Sequence, residues 1–163
     1  MKKLLVVSLV SAFLVGIAAC GGDSKTEETS KSTDAVETTE TTSDGNPSYD
    51  PKRGEGQFKD VQITATLDGA MAEAGGKVAD VKCISCHKLT DEKLVGPGWK
   101  GVTSRHSADW IMNFLTNTDA MIDKDPYVQA QLEICMVRMP NQSVSEADAR
   151  SVYEFMRKND GVK

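Results

Sequence analysis

The sequence lacks a long hydrophobic run. Its longest apolar stretch, Leu4 to Ile17, falls short of the roughly 20 residues that a comfortable membrane span needs. Hydrophobic residues in general are thin, at 39% of 163 positions, which supports one modest domain with additional segments. Charge of one sign is missing from the body of the chain as well. Residues 51–163 hold 15 basic and 16 acidic side chains with no basic stripe, so nothing in them argues for a nucleic-acid partner. Cysteines number four, which in an exported chain would first imply two disulfides.

What is present begins with a leader. Lys2 and Lys3 precede the apolar run, and small residues precede Cys20, the pattern of an exported protein. The stretch Ile17-Ala18-Ala19-Cys20 resembles the cleavage box of bacterial lipoproteins, which implies a signal peptide over residues 1–19 and a lipid anchor on Cys20. An ordinary cleaved signal and an uncleaved anchor are the alternatives. Acyl chains partition strongly because each buried methylene contributes roughly 0.8 kcal/mol. Residues 20–50 then read as a disordered linker, since residues 21–50 carry eight acidic and two basic residues, many Ser and Thr, and almost no large apolar side chains. The expected location is the cell envelope, with a domain at 51–163 facing the periplasm or the cell exterior.

If Cys20 is lipidated, three cysteines remain and at least one cannot pair within the chain. Cys83-Ile84-Ser85-Cys86-His87 fits another chemistry better, because C-x-x-C-H is the attachment sequence of c-type haem. Two thiols on one helical turn can each form a thioether with a haem vinyl group, while the adjacent imidazole comes up beneath the iron. A reactive dithiol is one rival, although no strand pattern precedes the pair as such motifs require. Zinc is another, with Cys83, Cys86, Cys135 and His106 as nominal ligands, although the last two are not closely spaced.

Helix signals follow a common form along the body. Asp68 caps a helix to Lys82 with Met71, Ala74, Val78 and Val81 at helical spacing, which puts the cysteine pair at a helix end. Gly75 and Gly76 weaken that helix by roughly 1 kcal/mol each relative to Ala; either a second helix packs close to the backbone there or the helix frays. Residues 94–101 form a Gly- and Pro-containing loop. Ser107 caps a helix through Asn117 whose inner face carries Trp110, Ile111, Phe114 and Leu115. Asp125-Pro126 opens another, with Val128, Leu132 and Cys135 on one stripe. Ser145 with Asp148 forms a capping box for the last, which runs past Ala149, Val152, Tyr153 and Met156 to a stop at Gly161. Residues 61–65 read as an extended arm wrapping the domain. The expected fold class is therefore all-α, with loops gathered around one site.

Over about residues 67–160 this order resembles the small single-haem, class I cytochrome c family. The resemblance rests on C-x-x-C-H at 83–87, G-P-x-x-x-G at 96–101, Met139-Pro140, and the amphipathic terminal helix. It implies one haem c attached through Cys83 and Cys86, with His87 as proximal iron ligand and the Pro97 carbonyl holding its free nitrogen. It implies Met139 as the distal ligand, ahead of Met136 and His106; Met71, Met112 and Met156 belong to helices and Met121 to a short connection. Where the family often has an aromatic, Ala79 stands, a gap that Tyr153 or Phe155 could fill. Cys135 reads as a buried small hydrophobe, with a thiol near the haem or a dimer bridge as alternatives, and His106 as a surface or capping residue. Leu94, Val95, Trp99, Ile111, Phe114 and Val137 are expected to shield the site.

The function so implied is carriage of single electrons between respiratory-chain partners, either a reductase or an oxidase, and weakly a nitrogen-oxide reductase; it is an electron carrier and not an enzyme. A haem subunit of a larger complex, or an open-site haem enzyme or sensor for peroxide or a diatomic gas, is the alternative. Lys82, Lys88, Lys93, Lys100 and Arg105 against Asp91 and Glu92 leave three excess positive charges around the motif for docking.

Overall fold

The structure is a computed structural model that describes residues 49–163. The leader, Cys20 and nearly all of the linker expected from the sequence lie outside those residues. Six helices make up the described part: α1 (Gly69–Lys82), α2 (Val102–Arg105), α3 (Ala108–Thr116), α4 (Thr118–Lys124), α5 (Pro126–Cys135) and α6 (Glu146–Asn159). No strand occurs among the described residues, and none of their helices is long and apolar enough to cross a membrane.

The frame is the crossing of α1 and α6. Asp68 accepts a hydrogen bond from the Met71 N–H at 2.9 Å and starts α1. Ala72, Gly75 and Ala79 form its buried face, against Ala149, Val152, Tyr153 and Met156 of α6. Burying Val152 and Met156 contributes about 1.5–3 kcal/mol apiece. The glycine pair does not break α1. A Cβ on Gly75 would stand 1.9 Å from the Ser151 carbonyl oxygen, so only glycine lets the two backbones approach this closely. At Gly76 the neighbour is the Phe155 ring, 3.3 Å from where a Cβ would be. Phe155 thus packs an aromatic of α6 against α1 at Gly76.

Three more helices start on the expected residues. The Ser107 hydroxyl accepts from Trp110 N–H at 3.0 Å, an Asp125 carboxylate oxygen from Val128 N–H at 2.9 Å, and the Ser145 hydroxyl from Asp148 N–H at 3.1 Å. At Ser145 only this half of the capping box is formed. Two short helices depart from the sequence reading. Met121, expected in a connection, lies wholly buried on α4. Asn117 closes α3 and precedes α4 without any side-chain cap bond, so no local signal marked the restart. α2 begins at Gly101, which has a positive φ of 74°, and its free N–H groups are satisfied from far away: Asp160 accepts from Gly101 N–H at 2.6 Å and Thr103 N–H at 2.9 Å.

Residues 61–64 run without helix or turn, as their alternation implies, and the arm that packs on the body is longer than 61–65, opening with a turn at residues 51–53. Tyr49 and Asp50, placed by sequence at the end of the linker, already belong to the packed body: the Tyr49 hydroxyl donates to Asp125, and Asp50 C=O accepts from Arg53 and Gly54 N–H. Buried Asn113 donates to Arg53 and Phe58 C=O at 2.9 and 3.0 Å and accepts from Phe58 N–H at 2.9 Å. Further along, Asp109 accepts from Asp60 and Val61 N–H at 2.9 and 2.8 Å. The arm ends at a buried ion cluster. Glu154, fully buried, pairs with Arg157 at 2.6 Å and Arg150 at 2.7 Å and accepts from Asp68 N–H, while Arg157 reaches on to Thr64 C=O. Burial alone would push the Glu154 carboxyl up, but Arg150, the Asp68 N–H and Arg157 together hold it below the usual carboxylate range.

Candidate functional site

Where α1 ends, Cys83 occupies its C-cap, and a tight turn follows in which Cys86 and His87 N–H both bond to Cys83 C=O at 3.0 Å. This turn brings Cys83, Cys86 and His87 to one cleft. Burial pushes the Cys83 thiol up to about 11, partly offset by Lys82.

The Gly-Pro loop fixes the imidazole. Val95 and Gly96 N–H donate to Cys86 C=O at 3.2 and 2.9 Å, and Trp99 N–H donates to Lys88 C=O at 2.9 Å, so the loop is laced to the cysteine turn by main-chain bonds. His87 Nδ1 lies 2.8 Å from the Pro97 carbonyl oxygen. A carbonyl only accepts, so Nδ1 carries the proton and Nε2 keeps its lone pair. Burial lowers the His87 pKa and the Pro97 bond partly restores it, which leaves a neutral ring near pH 7. Gly96 is required by space: a Cβ there would stand 2.4 Å from His87 Cε1.

The remaining walls are apolar. Ile111, Phe114 and Leu115 of α3, Val128 and Leu132 of α5, and Met156 of α6 line the cleft, and Met139 and Val137 reach it from the segment after α5. Of the expected shield, Val95, Trp99, Ile111, Phe114 and Val137 are there; Leu94 is not, being 47% exposed and outside the lining. Met136 is also outside it, 87% exposed at a left-handed C-cap with φ of 57°, whereas Met139 is partly buried and packed on the core.

Two further residues face the cleft. Cys135 is half-buried and lines the cleft, so it is a thiol near the site and not a sequestered core residue. His106 caps the C-terminus of α2, as read, its N–H bonded to Val102 C=O at 3.0 Å, and it is also part of the site: its ring stacks on Trp110 at 3.8 Å and meets Tyr127 edge-on at 4.6 Å, and all three line the cleft. Burial and Arg105 lower the His106 pKa, opposed by Asp125. Tyr127 itself went unnoticed because the first turn of a helix carries no periodicity to place it.

The donor set tests which group belongs here. Among the described residues no three His, Cys, Asp or Glu side chains converge as metal ligands would, which removes the zinc reading. Of the donors in the cleft, the thiols of Cys83 and Cys86, the His87 imidazole with its free Nε2 and the Met139 thioether are the set that the family pattern matches, inside a mainly apolar enclosure. Those are soft, neutral donors suited to a macrocycle-held iron, and the residues fit haem c.

Comparison with known proteins agrees. The cytochrome c family model matches residues 72–160, more than half of the chain. A cytochrome c from Rhodothermus marinus is 30% identical, with a TM-score of 0.62 over 64% of this chain and 90% of its own. An engineered cytochrome c from the same organism is 29% identical, with a TM-score of 0.64 over 68% of this chain and 98% of its own. No curated protein sequence matches. Fold, donor set and family match converge: this chain belongs to the cytochrome c family, a class I mono-haem member that binds haem c covalently through cysteine and serves haem-based electron transfer.

Proposed function

We propose that the protein is a membrane-tethered carrier of single electrons between respiratory-chain partners outside the cytoplasm. In this reading Cys83 and Cys86 would carry the thioethers, His87 Nε2 and the Met139 sulfur would ligate the iron, and lipid on Cys20 would provide the tether. When bound, the haem iron supplies a one-electron ferrous/ferric couple. The observation that carries the proposal is that His87 and Met139, far apart in sequence, line one apolar cleft in which the His87 tautomer is already set by Pro97.

The side chains divide the work. The Pro97 bond orients the imidazole and strengthens it as a donor. A Met139 thioether favours the reduced state and raises the potential. Ile111, Phe114, Leu115 and Leu132 keep water away from the site. With His87 and Met139 both committed to the iron, no protein-free position would remain for a small ligand, which favours a carrier over an open-site enzyme or sensor.

The rim of the cleft suits transient docking. Val95, Ile134 and Val137 are 39%, 58% and 52% exposed. Around them, Lys93 donates to Ile134 C=O at 3.1 Å, Lys82 to Gln142 C=O at 2.7 Å and Arg105 to Lys100 C=O at 2.7 Å. Bonds to carbonyls leave these cations unneutralised; among the described residues, Lys88 alone of the five basic residues around the motif forms an ion pair, with Glu92 at 2.7 Å. Weak redox encounters need little area, and complementary charge speeds them, so the partner surface is acidic.

The test is a haem stain on a denaturing gel combined with a reduced-minus-oxidised spectrum. Pigment that survives denaturation and a low-spin spectrum are expected; a high-spin spectrum would overturn the Met139 assignment. Electron exchange with an acidic partner should slow as salt rises, and a rate independent of salt would remove the docking surface. Release of the protein from membranes by Cys20→Ser is expected, and its retention would remove the lipid tether.

A further inference from the structure

Behind the aromatic wall of the cleft lies a carboxylate that the proposed function does not use. Asp125 is 1% exposed, and no Lys or Arg among the described residues pairs with it. Instead, three neutral donors converge on it: Val128 N–H at 2.9 Å, Trp110 Nε1–H at 2.8 Å, and the Tyr49 hydroxyl. A carboxylate that only accepts, from every neighbour, is the pattern of the ionised form. Helix capping explains the first bond and nothing more: a Ser or Asn would cap α5 equally well without burying a charge.

The other two bonds point toward the cleft. Trp110 lines it, with its indole N–H turned back to Asp125, and His106 lies stacked on that indole. Tyr127 and Val128, the second and third residues of α5, line it from the next element. Asp125 is thus one side chain removed from the cleft on two sides, in a poorly screened interior where a charge acts over longer range than in water. Among the described residues no cation pairs with it there; burial and Arg105 push the His106 ring toward neutrality, against the pull of Asp125 itself.

We propose that Asp125 is a positioning residue for the redox site: it fixes the Trp110 and His106 rings against the cleft, and its uncompensated charge favours the oxidised, more positive state of the bound group. This rests on the electron-carrier reading above. It adds a second control on the potential, acting against the axial thioether.

The experiment is an equilibrium redox titration of the holoprotein, followed optically, for the native chain and the variants Asp125→Asn, Asp125→Ser and Tyr49→Phe. Asn and Ser both cap α5 but leave gaps of different size, so together they separate charge from shape. Both should shift the midpoint potential in the positive direction. Tyr49→Phe keeps the carboxylate and removes one donor, so it should lower thermal stability without a positive shift. Unmoved midpoints in both Asp125 variants, shifts of opposite sign between them, or an equal positive shift in Tyr49→Phe would each overturn the proposal. Absence of any reversible one-electron couple in the native chain would instead overturn the carrier function, and the inference with it.

Discussion

The two segments that present donors to the cleft are built by different means. The His87 side, residues 83–101, is main chain bonded to main chain: Val95 and Gly96 to Cys86, Trp99 to Lys88, Lys100 to Thr90. The Met139 side, residues 137–144, makes no main-chain to main-chain bond among the described residues. It is held by side chains, with Arg138 bonded to Asp119 at 3.3 Å and Asp123 at 3.1 Å on α4, and Ser143 N–H bonded to the Asn141 side chain. Those ion pairs are exposed, and exposed pairs contribute about 0–1 kcal/mol. One donor therefore sits in a rigid mount and the other in a compliant one.

The largest test of this contrast strikes the frame beneath both segments. Glu154→Gln leaves Arg150 and Arg157 without their buried partner, a loss of about 3–5 kcal/mol. Urea unfolding should show both segments lost in one transition; separate transitions would break the idea of a shared frame. Acid reports the same cluster. Because the folded Glu154 carboxyl lies below its ordinary value, its contribution is fully present above about pH 4.3 and fades as pH falls through the folded pKa. The native chain should lose stability there more steeply than Glu154→Gln.

A smaller perturbation separates the sides. Gly96→Ala forces a methyl into the His87 ring and should cost about 1–3 kcal/mol by thermal unfolding, because the laced loop cannot retreat. Met139→Leu, an apolar swap of similar volume, should cost less than about 1.5 kcal/mol while the spectrum turns high-spin and the potential falls. Smallest of all, Arg138→Ala should leave thermal stability close to that of the native chain, because exposed ion pairs are well screened. Its effect should appear as a weaker sulfur-to-iron band, and high salt should reproduce that loss in the native chain but not add to it in the variant.

The same contrast explains what was legible in the sequence. Asp68, Ser107, Asp125 and Ser145 start helices by bonds three residues long, so the main helices could be read directly. The His87 mount was readable too, since the glycine and proline that build it lie within a dozen residues of the ring. α4 was not, because its start lacks a side-chain cap and its support, Met121 against the arm, is remote: Glu55 N–H meets the Met121 sulfur at 3.0 Å. The cleft-facing roles of His106 and Cys135 were not legible for a related reason: both line a cleft whose other walls come from separate elements, and no local period records that assembly. Leu94 failed in the opposite sense, as an apolar side chain in the right loop that the turn aims at solvent.

The arm described above also has a mechanical meaning. A pull arriving at residue 49 would load the Tyr49 contact first, then those at Asn113, then at Asp109, each in turn as a zipper opens. Force is shared poorly in that geometry, so the arm yields tooth by tooth at low tension. The α1–α6 crossing, entered only after Leu67, would be loaded last.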